Sequence, residues 1–370
     1  MVPDDPPQVM TGAAALRERK ARRRRLAKLL ALGLSTLLAL VAGEVAVRVA
    51  APQSSGLDRI YVPDPDTGYR MQPGPHPVAY PIDINAQGLR DVERPVKKPA
   101  GERRVVVLGD SFTFAALPVE QGYCRQLGAR LGEVQVINAG VPGWTTWQEA
   151  AWLKRDGLAY GPDVVVVGVF IGNDVEENLR RGQPPEEKEE RGLLRRLTNS
   201  SHLYRLFKGL PEDLWYRAQG DSSRARRYHK IERRRLALFD RGPAAAAFEP
   251  GWTVLREELA KIVQLAGASP VVALLIPDEL QVDPALVQAV CARDGSDPAA
   301  FDLDAPQARL AKLCSEVGAS VVDTLPELRR RTAAGERLYL PLDSHWNEAG
   351  NALAADALAA QPALAALAGQ

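Results

Sequence analysis

Five short, mostly apolar runs and the helical segments between them set the pattern of the chain from about residue 100 onward. The runs are residues 103–108, 133–138, 164–170, 271–276 and 319–322. Most are rich in β-branched residues, which is typical of strands buried on both faces of a parallel sheet. The pattern predicts helices at about residues 120–131, 145–156, 252–266, 307–317, 325–332 and 347–360. Strands and helices that alternate over short connections predict an α/β fold with helices on both faces of the sheet.

A longer apolar stretch lies near the N-terminus. Residues 29–51 are apolar or small apart from Glu44 and Arg48, and Pro52 ends the stretch. It is just long enough to span a bilayer, and Glu44 and Arg48 are spaced to pair near its far end. The basic residues before it predict a cytoplasmic leader at 1–28 and a transmembrane anchor at 29–51, with the remainder outside the cytoplasm. A signal peptide cleaved after Ala51 is the alternative, which the long basic leader disfavours.

Two other segments depart from the α/β pattern. Residues 52–100 are rich in Pro, Gly and Asp, which predicts a linker and an irregular or hairpin-containing lead-in with an ordered turn at 85–91. Residues from about 176 to 250 carry crowded charges among leucine and aromatic residues, which predicts a helical insertion in a domain at 101–370. Its length is typical of a lid or binding element. The basic run at 224–230 favours a solvated helix face, with contact to anionic lipid or glycan as the alternative.

Charge and cysteine content exclude several classes of function. The formal net charge of the 370 residues is +1, which argues against a nucleic-acid-binding protein. Cys124, Cys291 and Cys314 are too few and too scattered for a metal site. Free buried thiols are the expectation, with a disulfide between Cys291 and Cys314 as the alternative in an oxidising compartment. We therefore predict no cofactor, no metal and no nucleic-acid partner, and leave protein partners open.

Polar clusters follow the predicted strands at the points where those strands end. Ser111 follows the first strand, Gly143 lies in the loop after the second, and Asn173 follows the third. Asp343 and His345 come after the fifth strand and a short helix. Because the carboxyl ends of parallel strands share one edge of a sheet, where ligands bind, we expect these residues to lie close together.

The residue types fit acyl transfer. A serine hydroxyl is a weak nucleophile until a neighbouring base removes its proton, and His345 can be that base. Asp343 can hold the imidazole in the required tautomer. The backbone N–H groups of Ser111 and Gly143 and the side-chain amide of Asn173 can donate to the oxyanion of the tetrahedral intermediate.

Each of these residues also has an ordinary structural interpretation when taken alone. Gly-Asp-Ser and Gly-Asn-Asp are common turn sequences, and Asp343 or Asn347 could cap the last helix. Asp323, at the end of the fifth strand, is the rival for the acid of the triad. Asp110 and Asp174 are predicted to support the loops that carry Ser111 and Asn173. The remaining histidines, which are predicted to be structural or surface residues, are His76, His202 and His229.

Together the four clusters resemble the motifs of the SGNH (GDSL-type) hydrolase superfamily. The blocks are Gly109-Asp110-Ser111-Phe112, Asn138-Ala139-Gly140-Val141-Pro142-Gly143, Gly172-Asn173-Asp174 and Asp343-Ser344-His345-Trp346. The resemblance covers roughly residues 103–174 and 271–360. It implies a flavodoxin-like three-layer α/β/α fold with a five-stranded parallel sheet. It also implies a catalytic triad of Ser111, Asp343 and His345 and an oxyanion hole formed by Ser111, Gly143 and Asn173.

The last block departs from the usual pattern of the superfamily. Most members separate the aspartate and histidine by two residues, whereas only Ser344 separates them here, and Trp346 follows. This Asp-x-His-Trp form resembles a membrane-anchored bacterial branch that includes polysaccharide O-acetyltransferases. The resemblance implies a single-pass protein of the bacterial inner membrane with its catalytic domain on the periplasmic side.

The predicted function is an extracytoplasmic serine esterase that forms an acyl-enzyme on Ser111. The expected substrate is a small-acyl ester, with acetyl groups on a glycan as the expected class. A polysaccharide O-acetyltransferase with the same triad is the first alternative, in which a sugar hydroxyl replaces water. The second alternative is a non-enzymatic scaffold with this fold, and the intact set of site residues argues against it.

Overall fold

The computed structural model describes residues 12–50, 60–77, 81–181, 201–208 and 223–369. The strands in these ranges are β1 Tyr61–Asp64, β2 Gly68–Met71, β3 Gly74–Pro77, β4 Pro81–Ile84, β5 Arg104–Gly109, β6 Gln135–Gly140, β7 Val164–Phe170, β8 Val271–Ile276 and β9 Ser320–Asp323. The α-helices in the first half are α1 Gly12–Ala50, α2 Ser111–Phe114, α3 Tyr123–Leu131, α4 Thr146–Arg155, α5 Asp174–Glu177 and α6 His202–Lys208. Those that follow are α7 Ser223–Arg235, α8 Glu249–Ala266, α9 Glu279–Val282, α10 Pro284–Asp294, α11 Ala305–Glu316, α12 Leu325–Ala333, α13 Glu348–Ala359 and α14 Pro362–Ala368.

Five parallel strands form the main sheet in the order β6-β5-β7-β8-β9. Counted along the sheet strands alone, this is 2-1-3-4-5, the order of flavodoxin-like folds. The predicted α/β class and the three-layer architecture are confirmed. Strands β7 and β8 have the predicted bounds, whereas β5, β6 and β9 begin one or two residues later than the apolar pattern suggested. The order reverses between β5 and β7, so a crevice is expected at the ends of these strands.

Alternate residues of each strand face two separate cores, because successive side chains of a strand point to opposite faces. Val106 and Val165 join a core that also contains residues of α4, α8 and α11. Val105 and Val164 join the other core, together with residues of α3, α12, α13 and α14. Burial on both faces explains why the central strands are continuous apolar runs rather than alternating ones.

The described part of the lead-in forms two antiparallel hairpins, β1–β2 and β3–β4. Ile60, Met71, Ile82 and Ile84 of these hairpins are at most 3% exposed and belong to the first core. The ordered turn predicted at 85–91 is present, and the Asn85 side chain accepts hydrogen bonds from two backbone N–H groups within it. The lead-in therefore packs as part of the α/β unit.

The described part of the insertion consists of the end of α5, α6, α7, three short 3₁₀ segments and the start of α8. Residues 182–200 and 209–222 of the predicted insertion lie outside the described residues. Tyr228 and Glu232 form the buried side of α7, and its arginines lie mostly on the exposed side. Cys124, Cys291 and Cys314 are all buried and unbonded, as the default interpretation expected.

Helix α1 and helix α6 form a compact unit distinct from the α/β unit. The helical segment Arg22–Ala50 of α1 is long and apolar enough to cross a membrane, and its length and composition are also those of a signal sequence. The predicted pair is present, with Arg48 Nε 2.7 Å from Glu44 Oε1. The Glu44 carboxylate also accepts hydrogen bonds from the Ser201 hydroxyl and from the first N–H groups of α6. These contacts stabilise the negative charge of Glu44, which would otherwise be unfavourable in an apolar helix.

Candidate active site

Ser111 lies at the sharp turn between β5 and α2. Asp110 caps α2, and its Oδ1 accepts a hydrogen bond of 2.9 Å from the backbone N–H of Phe112. The turn requires glycine at two positions, Gly109 before it and Gly140 at the end of the neighbouring strand β6. Gly109 has φ +154°, and a Cβ there would lie 2.0 Å from Thr113 Oγ1. A Cβ on Gly140 would lie 2.4 Å from the backbone nitrogen of Phe114. The glycines therefore allow the serine-bearing helix to pack directly on the sheet edge.

His345 contacts Ser111 across 234 residues of sequence. His345 Nε2 lies 2.7 Å from Ser111 Oγ, and His345 Nδ1 lies 2.6 Å from Asp343 Oδ1. The loop is held on both sides of the histidine, by the hydrogen bond from the Leu340 N–H to the His345 carbonyl and by the Asn347 cap of α13. Phe112 packs against the imidazole with the ring centroids 5.0 Å apart. The histidine is thus oriented between a hydroxyl and a carboxylate.

The carboxylate of Asp343 is ionised by its contact with the histidine. Burial alone would raise the pKa of Asp343, but the hydrogen bonds from the ring and the backbone N–H of His345 lower it below the ordinary value. Asp323, the rival acid, lies elsewhere: its Oδ1 accepts hydrogen bonds from the Gln307 side chain at 2.7 Å and from the Leu325 N–H at 3.0 Å. The structure therefore brings Asp343, and not Asp323, to the histidine.

Two of the predicted oxyanion donors are backbone N–H groups. In the described part of the chain, the N–H groups of Ser111 and Gly143 donate to no acceptor. That of Ser111 is free because the first residues of a helix have no intrahelical acceptor. Gly143 is exposed and has φ +78°. Both N–H groups are therefore free to donate to a ligand.

Asn173, the third predicted donor, lies at the N-terminus of α5 and is half-buried. Its Nδ2 donates one hydrogen bond, of 3.2 Å, to Asp110 Oδ2. An amide nitrogen carries two N–H groups, so one remains for a ligand. The contact with Asp110 fixes the side chain next to the serine turn.

Buried carboxyl groups support the two loops, as predicted for Asp110 and Asp174. Asp174 Oδ2 accepts a hydrogen bond of 2.8 Å from the Phe170 N–H, which ties α5 to the end of β7. Glu149 of α4 is fully buried nearby, and neither of its oxygens has a partner among the described residues. Burial raises the pKa of Asp110, and raises those of Asp174 and Glu149 well above their usual values. Glu149, which the sequence analysis missed, is therefore held in its neutral form.

Arg90 and Asp91 of the lead-in also support the site, which the sequence analysis did not predict. Arg90 is 2% exposed, and its guanidinium donates to the carbonyls of Phe114 at 2.9 Å and Leu117 at 2.6 Å. Asp91 Oδ2 accepts from the Asn138 N–H at 3.1 Å. The only signal in the sequence was the position of this charged pair at the end of the ordered turn. The lead-in thus holds the chain that leaves α2.

Helix α7 of the insertion contacts the same edge of the sheet through Arg235. The guanidinium carbon of Arg235 lies 5.0 Å from the centre of the Phe170 ring, a cation–π contact. Its Nη1 lies 2.9 Å from Glu232 Oε1 and 3.3 Å from Asp278 Oδ2. Burial and the negative charge of Asp278 raise the pKa of Glu232, and the positive charge of Arg235 opposes that rise.

The positive charges of α7 lower the pKa values of two carboxyl groups of the site. Besides its hydrogen bonds with His345, Asp343 has its pKa lowered by the positive charge of Arg224. The charge of Arg235 is one of those that oppose the effect of burial on Asp110. The insertion therefore supplies positive charge at the rim of the site.

The arrangement as a whole can carry out nucleophilic acyl transfer. It presents a hydroxyl with a base in hydrogen-bond contact, a carboxylate behind the base, and the Asn173 amide at the turn that carries the hydroxyl. In the described ranges, no group of three His, Cys, Asp or Glu side chains is placed to hold a metal ion.

Known proteins resemble this chain at two levels. The sequence model of the GDSL-like Lipase/Acylhydrolase family matches residues 107–353. No curated protein matches the sequence.

The fold is similar to that of an α/β hydrolase from the metagenome of Lake Arreo, Spain, with 18% identity, a TM-score of 0.40 and coverage of 74% of this chain and 99% of the other. It is also similar to a G-D-S-L family lipolytic protein from Veillonella parvula, with 14% identity, a TM-score of 0.38 and coverage of 69% and 96%. A third structure, of a mutant acetylxylan esterase from Geobacillus stearothermophilus, has 16% identity, a TM-score of 0.38 and coverage of 71% and 94%.

Proposed function

The chain belongs to the GDSL-like lipase/acylhydrolase family, and we propose that it is a serine esterase that hydrolyses small-acyl esters, with acetyl groups on a glycan as the substrate class. The observation that carries this proposal is the chain of two hydrogen bonds from Ser111 Oγ to His345 Nε2 and from His345 Nδ1 to Asp343 Oδ1. A hydroxyl in contact with an oriented imidazole is a nucleophile with its base in place.

In the proposed reaction, Ser111 Oγ attacks the ester carbonyl as its proton passes to His345 Nε2. The ionised Asp343 stabilises the imidazolium that forms. The tetrahedral intermediate collapses, the carbon–oxygen bond to the alcohol breaks, and His345 gives its proton to the leaving alcohol. Water, deprotonated by His345, then attacks the acyl-enzyme and releases the acid. Ser111 regains its proton, so the enzyme is unchanged.

The N–H groups of Ser111 and Gly143 and the second N–H of Asn173 are the proposed donors to the oxyanion. Each hydrogen-bond donor to an oxyanion contributes about a hundredfold or more to the rate. The contact of Asn173 with Asp110 supports its role, because a side chain already held in place loses little entropy when it binds the intermediate.

The charges around the triad favour a polar substrate over a lipid. The positive charge of Arg224 lowers the pKa of Asp343. Burial, together with negative charges that include Asp343, raises the pKa of Glu279 to about 8. A long acyl chain binds best against a continuous apolar surface, which groups of this kind interrupt. A short acyl group on a hydroxyl-rich alcohol is compatible with such surroundings.

Product analysis tests this function. We expect the purified full chain, incubated with an acetylated glycan oligomer, to release one acetate for each ester lost. With an unacetylated oligosaccharide added as acceptor, acetate should remain the main product. If the parent protein releases no acid from acetyl, propionyl or butyryl esters, the proposed hydrolysis is contradicted.

A polysaccharide O-acetyltransferase is the second candidate, and the Asp343-Ser344-His345-Trp346 sequence favours it. The same acyl-enzyme would be attacked by a sugar hydroxyl instead of water. In the product analysis, an acetylated acceptor that forms faster than free acetate would support transfer. The non-enzymatic alternative predicts that neither product forms.

We further propose that α1 anchors the protein in the bacterial inner membrane and that the catalytic domain at 101–370 lies in the periplasm. The basic residues at 17–25 and the apolar stretch at 29–51 support this orientation. Residues 1–28 are then the cytoplasmic leader, and 52–100 the lead-in to the domain.

The location has a direct test. Protease added to spheroplasts should degrade the catalytic domain, and inverted membrane vesicles should protect it. The intact mass of the membrane-bound protein distinguishes an anchor from a signal peptide: an uncleaved N-terminus is expected. A protein that ends up soluble and lacks about the first 51 residues would contradict the anchor and support cleavage after Ala51.

A further inference from the structure

Two tyrosine hydroxyls from the lead-in converge on one carbonyl in the loop after β6. Tyr69 donates a hydrogen bond of 3.0 Å to the carbonyl oxygen of Pro142, and Tyr61 donates one of 3.4 Å to the same oxygen. The two residues lie on one face of the β1–β2 hairpin, with ring centroids 5.0 Å apart in an edge-to-face contact. Both lie outside the residues that the family model matches.

That carbonyl belongs to the same peptide unit as the N–H of Gly143. A trans peptide is planar, with its C=O and N–H pointing in opposite directions, and no described peptide bond is cis. The direction of the Pro142 carbonyl therefore determines the direction of the Gly143 N–H. With the carbonyl bound to the hairpin, the N–H points away from the hairpin.

The local sequence leaves this peptide free to adopt more than one orientation. Residues 141–144 form a turn closed by a hydrogen bond of 3.0 Å from the Trp144 N–H to the Val141 carbonyl. Proline at the second position and glycine with φ +78° at the third correspond to a type II turn. A flip of the central peptide would give a type I turn, which proline also accepts at the second position. That flip would reverse the Gly143 N–H.

The hairpin is attached to the loop at further points, so the tyrosine contacts are not isolated. Trp144 Nε1 donates to the Tyr69 carbonyl at 3.2 Å, and Gln148 Nε2 donates to the Thr67 carbonyl at 2.9 Å. The Tyr69 hydroxyl lies 2.9 Å from the position that a Cβ on Gly143 would occupy. Gly143 is thus enclosed on the hairpin side and exposed on the other.

We propose that Tyr69, assisted by Tyr61, is a positioning residue that holds the Pro142–Gly143 peptide with its N–H directed at the oxyanion. This inference rests on the proposed function, because it assigns a role to an oxyanion donor. A hydrogen bond to the carbonyl also polarises the peptide, which makes its N–H a stronger donor. The hairpin contributes to the rate without touching the substrate.

Tyr69→Phe tests the inference, because it removes the hydroxyl and keeps the ring. Loss of a whole oxyanion donor lowers kcat about a hundredfold or more. A donor that points at the oxyanion for only part of the time should lower kcat by less. We expect kcat to fall about tenfold with KM changed less than twofold, and the double variant Tyr69→Phe/Tyr61→Phe to fall further. The inhibition constant of a boronic acid, whose adduct on Ser111 carries a tetrahedral oxyanion, should rise in parallel with the loss in kcat.

Ser269→Ala is the matched control. The Ser269 hydroxyl also donates to a proline carbonyl, that of Pro162 at 2.8 Å, but at the opposite edge of the sheet. This variant should keep the parent kcat and the parent affinity for the boronic acid. An active parent whose Tyr69→Phe variants keep kcat and boronic acid affinity would overturn the positioning role alone. A parent that hydrolyses no ester would instead overturn the proposed function.

Discussion

Ser111→Ala is expected to lower kcat/KM for a small-acyl ester by about 10⁵-fold or more, because it removes the oxygen on which the proposed acyl-enzyme forms. The remaining rate comes from binding and the oxyanion donors alone. The substitution removes one oxygen that bonds to His345 Nε2 at 2.7 Å, so the melting temperature should stay close to that of the parent. Kinetics on a generic acetyl ester and thermal unfolding measure the two quantities.

Covalent labelling gives an independent measure of the same change. A serine-directed phosphonate should modify the parent on Ser111 and leave Ser111→Ala unmodified. Ser315→Ala is a suitable control, since the Ser315 hydroxyl bonds to the Ala311 carbonyl on the exposed side of α11 and should not affect labelling. If Ser111→Ala hydrolyses the ester at the parent rate, Ser111 is not the nucleophile.

Asp343→Asn should lower kcat by about 10⁴-fold, with a small change in KM. The ionised carboxylate accepts from His345 Nδ1 at 2.6 Å, which leaves Nε2 free to take the serine proton. An asparagine amide can donate to Nδ1 instead, which places the imidazole proton on Nε2 and blocks its action as a base. The carboxylate pKa is lowered, so Asp343 is ionised throughout the neutral range and loses its charge only in acid.

Asp323→Asn is the control, because it makes the same change in the rival acid. Asp323 bonds to Gln307 and to the Leu325 N–H, so its substitution should affect stability more than kcat. A 10⁴-fold loss in Asp323→Asn together with a nearly normal Asp343→Asn would reverse the assignment of the acid.

Much of the α/β unit could be predicted because its signals are local. The apolar runs at Val164–Phe170 and Val271–Ile276 became strands with those bounds, since side chains buried on both faces need an unbroken apolar sequence. The positions of Ser111, Gly143 and Asn173 after successive strands followed from the same pattern. Helix α9 was missed because a single turn shows no periodicity. Helix α10 was also missed, although its buried residues recur at helical spacing: Leu286, Val287, Val290 and Cys291.

The support of the site was harder to predict, because it depends on contacts between distant segments. Tyr69 and Pro142 are 73 residues apart, and Arg90 contacts a carbonyl 24 residues away. Residues 52–100 lack a lasting periodicity, so nothing in them indicated that the β1–β2 hairpin would bind the loop after β6. Arg235 lay in a run of arginines in which only its burial against Phe170 and Asp278 distinguishes it.

The sequence by itself determined the chemical groups and the edge of the sheet at which they meet, because the alternation of strands and helices along the chain makes the strands parallel. Only the tertiary structure decided which carboxylate faces His345, where α7 lies beside the site and which way the Gly143 peptide points. These depend on the packing of side chains far apart in the chain, and a turn such as Val141–Trp144 accepts either peptide orientation until the hairpin binds one of them.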